Sequence, residues 1–128
     1  MAVIRSFREL EVYKLARRAS KNIFQTSARF PRDERFSLTD QIRRSSRAVG
    51  AMIAEAWAHR RYPASFISKI TDALGEAMET QAWLDYALDS DYLNASEHRS
   101  LDASWQSIGA MLNKMLERVD TFCNVPKT

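Results

Sequence analysis

Two histidines and one cysteine set a low ceiling on the metal and nucleophilic chemistry this chain can perform. A di-metal centre inside a helix bundle takes Glu-x-x-His from each of two helices and further inward carboxylates. Here Glu55 and His59 are four residues apart instead of three, and His98 completes no such motif. Glu76 and Glu79 share a helix face without a histidine, which reads as solvated or ion-paired surface. Cys123 falls near the end of the last helical stretch, where the helix terminus raises a thiol pKa and leaves it a poor nucleophile. Ser45, Ser46, Ser65 and Ser68 sit in no nucleophile elbow. Glu55 lies off the core stripe beside Arg44 and is expected to pair with Arg44 or Arg47, in its own or a neighbouring chain. The expectation is a protein that is not an enzyme and has neither metal nor cofactor.

Basic side chains are the remaining candidates for chemistry, and their chemistry is phosphate binding. At 100° per residue, Lys14, Arg18, Lys21 and Gln25 fall within about 60° of one another on the first helix, with Arg17 beside them. Arg43, Arg44 and Arg47 occupy the outward side of the second helix. Arg29, Arg32 and Arg35 lie on the connector between the two, and Arg60 and Arg61 at the next corner with His59 and Tyr62. Arginine grips phosphate with a two-pronged fork, and repetition of such a patch around an oligomer multiplies weak contacts. Arginines on helix exteriors also serve as solubilising groups or pair with acids, and no recognisable DNA or RNA module is present.

Four helical stretches must position these side chains. Ser6-Phe7-Arg8-Glu9 has capping-box spacing and opens a helix over about 7–29, closed ahead of Pro31. Ser37-Leu38-Thr39-Asp40 starts a second over 37–61. Pro63 suits the first turn of a third over 63–88. Asn94-Ala95-Ser96-Glu97, another capping box, opens a fourth over 95–123, with a frayed tail over Asn124–Thr128. Short connections favour antiparallel neighbours, so one all-α domain, an antiparallel up-down-up-down four-helix bundle over residues 1–128, is expected. Gly50, Gly75 and Gly109 fall inside helices at a cost of about 1 kcal/mol each, which close helix–helix approach would justify. None of them belongs to a phosphate-binding loop.

Composition agrees with that class. Of 128 residues 45% are apolar and 27% charged, with three Gly and three Pro, too few for the turns of a sandwich or barrel. No apolar run reaches the roughly 20 residues that cross a bilayer, and the N-terminus has no signal-peptide core, so the expected location is the cytoplasm. Residues 1–69 carry a net charge of +9 and residues 70–128 one of −6. That split fits a polyanionic partner for the basic half, or copies of the chain meeting basic half to acidic half. The apolar positions of the first helix, Val12, Leu15 and Ala19 among them, spread over roughly 220°, more than one core needs. Trp83 stands among Asp72, Glu76 and Glu79. Together these predict a homo-oligomer with Val12, Leu15, Ala19 and Trp83 at the interface.

The blocks Phe7-Arg8-Glu9-Leu10-Glu11-Val12-Tyr13, Phe30-Pro31-x-x-Glu34, Leu38-x-x-Gln41-Ile42-Arg43-Arg44-Ser45, Ala51-Met52-Ile53-Ala54-Glu55-Ala56 and Gly75-x-x-x-Glu79 keep a mutual spacing that resembles the bacterial family named for 23S rRNA intervening sequences. The resemblance spans about residues 6–122. Met52 and Ala56 stand where the family usually has Asn and Gly. The resemblance implies an antiparallel four-helix bundle, a ring-shaped homopentamer, and similarity to the nucleic-acid-binding accessory protein of diversity-generating retroelements. Two readings follow: a non-enzymatic oligomer binding structured RNA or DNA through its arginines, or a homo-oligomeric scaffold or adaptor for a protein partner.

Overall fold

The computed structural model describes residues 3–125, with no strand among them. Four long helices carry the fold: α1 (Glu11–Ser27), α2 (Leu38–Ala58), α3 (Pro63–Asp89) and α4 (Ala95–Glu117), followed by the short α5 (Val119–Phe122). Single 3-10 turns occupy Phe7–Glu9 and Arg32–Glu34. The long helices pack in a cycle, α1 on α2, α2 on α3, α3 on α4 and α4 back on α1. Each therefore presents one face to solvent. The interior is mostly apolar, with Ile23, Ile42, Ile53, Phe66, Ile70, Leu84, Trp105, Ile108 and Leu112 fully buried, and its buried Ser45 and Thr80 hydroxyls hydrogen-bond each other at 2.8 Å. Each such apolar side chain contributes about 1.5–3 kcal/mol on leaving water. Among the described residues no helix is long and apolar enough to cross a membrane.

Local chemistry sets the helix ends. Pro63 occupies the first turn of α3. The α4 capping box forms as its spacing predicts: Asn94 Oδ1 accepts from the Glu97 amide at 2.8 Å, and Glu97 Oε1 accepts from the Asn94 amide at 3.0 Å. The loop before it turns through Asp91, whose φ of 61° is left-handed, a region Asp tolerates better than most residues. The first helix departs from expectation. Ser6 caps only a 3-10 turn, Glu9 accepts instead from the Arg5 amide, and Leu10 is extended and buried, so α1 starts at Glu11. Breaking the helix at Leu10 lets Leu10 enter the core while Phe7 packs against it. At the other ends, α1 stops at Ser27, α2 stops at Ala58, and α4 breaks at Arg118 before the α5 turn. Residues 126–128 of the expected frayed tail lie outside the described residues.

Two expectations about packing change. The wide apolar arc of α1 is met inside the chain, by α2 on one side and α4 on the other. Val12 and Ala19 are only 4% and 2% exposed, so both belong to the protomer's own core. Leu15 and Trp83 are half-buried against the same core. Close approach, expected to justify the helix glycines, requires glycine neither at Gly50, where a Cβ would make ordinary van der Waals contact with the Tyr13 ring at 3.6 Å, nor at Gly109, where it would do so with Leu74 at 3.6 Å. Nor does it explain Gly75, which is exposed with nothing within 4 Å.

Candidate nucleic-acid interface

The twelve basic residues singled out in the sequence divide by what their side chains touch. Five of them gather. Lys14, Arg17, Arg18 and Lys21 line an open groove of about 300 Å³ on the outer face of α1, together with Arg8 and Tyr13. Arg47 of α2 joins Arg17 in a second groove of about 340 Å³, between α1 and α2. Helical spacing makes this row: Lys14 and Arg18, like Arg17 and Lys21, are four apart and stack one turn above the other. The whole row is exposed. Only Lys14 has a carboxylate partner, Glu11 at 3.3 Å; among the described residues Arg17, Arg18 and Lys21 have none. An exposed i,i+3 pair of that kind is worth at most about 1 kcal/mol and yields readily to a phosphate.

Most of the others have structural work. Arg43 is half-buried: its Nε donates to Ser27 Oγ at 2.8 Å, its Nη2 to the Phe24 carbonyl at 3.3 Å, and its guanidinium lies 4.5 Å from the Phe24 ring centroid. Arg29 clamps Glu97 at 2.6 Å, tying the end of α1 to the start of α4. With the Asn94 amide as the larger cause and Arg29 as the second, this holds the Glu97 carboxyl below the usual carboxylate range. Arg44 reaches its helix neighbour Asp40 at 3.8 Å. Arg60 lies 3.5 Å over the Trp57 ring and donates to the Trp57 carbonyl at 2.8 Å; burial lowers its pKa. Arg32 and Arg35 stay exposed on the connector, Arg35 over the Phe36 ring. Arg61 is exposed at the corner before α3, away from the α1 row.

Glu55 pairs with Lys69 of α3 at 2.9 Å, not with Arg44 or Arg47 as its position on α2 suggested. Once α2 and α3 pack together, Lys69 comes within reach across the helix pair, a relation that helical projection of α2 alone does not contain. The same contact raises the Lys69 pKa. His98 Nε2 meets Asp85 at 2.8 Å and His59 Nδ1 meets Ser65 Oγ at 2.5 Å, so the two histidines are separately engaged. Among the described residues no three His, Cys, Asp or Glu side chains come together as metal ligands would. Burial pushes the Cys123 thiol pKa up.

Sequence reasoning missed Arg8 and Tyr13. Arg8 belongs to the 3-10 turn, and the break at Leu10 sets it against the basic row instead of continuing the helix past it. Its guanidinium lies 4.6 Å from the Phe7 ring centroid. Tyr13 falls in the apolar arc of α1 by helical projection, yet it is half-buried, lines both grooves and meets Phe7 edge-on at 4.9 Å. Its position one turn before Arg17 was the available signal.

Opposite in sign is the outer face of α3. Glu76 sits beside Glu79 and Asp72; burial first, then these like charges, push its carboxyl pKa up.

The family described as 23S rRNA-intervening sequence protein matches residues 8–114, a span that holds the whole basic row. A protein of unknown function from the S23 ribosomal protein family of Bacteroides thetaiotaomicron has a similar crystal structure, with a TM-score of 0.75 and 26% identity. That likeness covers 83% of this chain and 98% of the other. No curated protein matches the chain at a significant level.

Proposed function

The chain belongs to the 23S rRNA-intervening sequence protein family, and from that premise we propose that it is a non-enzymatic cytoplasmic protein that binds structured RNA or DNA through the outer face of α1. The observation that carries this reading is a groove lined by five cationic side chains, in which, among the described residues, no carboxylate takes part and Arg17, Arg18 and Lys21 have no partner. Cations left unneutralised by their own chain release counterions when phosphates replace them, and that release drives nucleic-acid binding.

The protomer is read as an antiparallel up-down-up-down bundle. Contacts along each pair of consecutive helices support it: Tyr13 meets Gly50 while Ser27 meets Arg43, Lys69 meets Glu55 while Thr80 meets Ser45, and Leu74 meets Gly109 while Gln81 meets Asp102. We take the protomer to assemble as a homopentamer, which would set several α1 faces on one particle.

A second reading keeps the assembly and drops the nucleic acid: the protein is a scaffold or an adaptor for a protein partner. The crowded carboxylates Asp72, Glu76 and Glu79 favour it, since a cationic surface of a neighbouring copy would relieve them.

The deciding experiment is binding of a labelled structured RNA to the purified protein at about 50 and 200 mM salt, with particle mass by light scattering. A pentamer whose affinity falls several hundred-fold or more at the higher salt is expected. A pentamer that binds nothing at low salt leaves the scaffold reading in place.

A further inference from the structure

We propose that the α1–α2 groove is a pocket for one unpaired nucleobase, so that the protein prefers RNA with a bulged or looped-out nucleotide over a perfect duplex. This rests on the nucleic-acid reading above and names the class of RNA that reading leaves open.

The two grooves share Tyr13 and Arg17, so they are contiguous across α1. Their linings differ in kind. The first is almost wholly cationic and suits a phosphate backbone. The second, of about 340 Å³, is lined along α2 by Gly50, Ala51 and Ala54, faced by the aromatic Phe7 and Tyr13, and has cations only in Arg17 and Arg47. Small residues are what keep it open. Among the described residues the Tyr13 hydroxyl has no hydrogen-bond partner, leaving it able to meet a base edge. Ser20, also in the lining, is committed: its hydroxyl donates to the Ser46 carbonyl at 3.0 Å and closes the contact between α1 and α2.

An open aromatic-walled space beside a cationic track is the arrangement by which proteins hold single-stranded nucleic acid, phosphates on the cations and a base against the ring. A-form duplex presents the same phosphates and no free base face. The charge complementarity of Arg17 and Arg47 points to a nucleotide as the occupant, since an apolar protein segment would leave both guanidiniums facing carbon.

The test compares an RNA duplex of about 16 base pairs with the same duplex carrying one unpaired adenosine. Wild-type protein is expected to bind the bulged RNA about tenfold more tightly, an advantage of the size that base–aromatic stacking supplies. Ala51→Leu, a substitution at an exposed helix position, fills the groove and should abolish that preference; Ala51→Val is the milder alternative if folding suffers. Equal affinity of the wild type for the two RNAs overturns the pocket while leaving the phosphate-binding reading intact. A preference that survives a folded Ala51→Leu protein overturns it too. Absence of binding to either RNA at low salt overturns both.

Discussion

The arginines along α1 and those at the ends and corners of the bundle carry the same charge and are put to opposite uses. Arg29 and Arg43, engaged by Glu97 and by Ser27 with Phe24, tie α4 and α2 to the end of α1, and Arg60 is folded onto Trp57 at the end of α2. Arg17, Arg18 and Lys21 stand in a row with nothing among the described residues to neutralise them. Employment within the chain separates stabilising cations from those free for a partner, and composition alone cannot make that separation.

The comparison breaks most visibly if binding and stability fail to divide along the same line. Replacing Arg17, Arg18 and Lys21 together by alanine should weaken binding of a structured RNA at least roughly 100-fold at about 100 mM salt. Its thermal midpoint should stay within about 2 °C of wild type, as for exposed positions. Arg43→Ala should behave inversely. Loss of two hydrogen bonds and of the packing on Phe24 costs about 1–2 kcal/mol in chemical denaturation, with RNA affinity changed less than about threefold. An Arg43→Ala protein of full stability and poor binding would return Arg43 to the interface.

Smaller effects sharpen the contrast. Arg29→Ala should lower stability at neutral pH by up to about 1 kcal/mol. Glu97 has a folded-state pKa below its unfolded value, so its contribution is present above the ordinary carboxylate range and is lost as pH falls through the folded value. The difference between wild type and Arg29→Ala in thermal melts should therefore close as pH drops below about 4. Smallest is Glu76→Gln on the opposite face. The Glu76 pKa is raised on folding, so its ionisation opposes folding as pH rises, and removing the charge should raise the melting temperature by about 1–2 °C at neutral pH. If the substitution also dissociates an assembled particle, Glu76 is meeting a cation of another copy, as the scaffold reading requires.

Much of the fold was legible, because four periodic stretches with Pro63 and the Asn94–Glu97 box announce their own limits. The break at Leu10 was not, since the tertiary gain of burying Leu10 overrides a good capping sequence at Ser6. The site was legible in part. Helical spacing finds Lys14, Arg17, Arg18 and Lys21 as one row, while Arg8 depends on that break. Arg29, Arg43 and Glu55 find partners on other helices, which periodicity along one helix does not contain. The apolar arc of α1 shows the same limit: its width is real, and two helices of the same chain account for it.

Lysine acetylation with and without a saturating structured RNA, read residue by residue, tests the location of the interface most directly. Lys14 and Lys21 lie in the α1 row, whereas Lys69 of α3 is held by Glu55 of α2 and Lys114 lines the separate α1–α4 groove. Protection of Lys14 and Lys21 with Lys69 and Lys114 unchanged is the expected result. Equal protection of all four, or protection centred on Lys114, would contradict an interface on the outer face of α1.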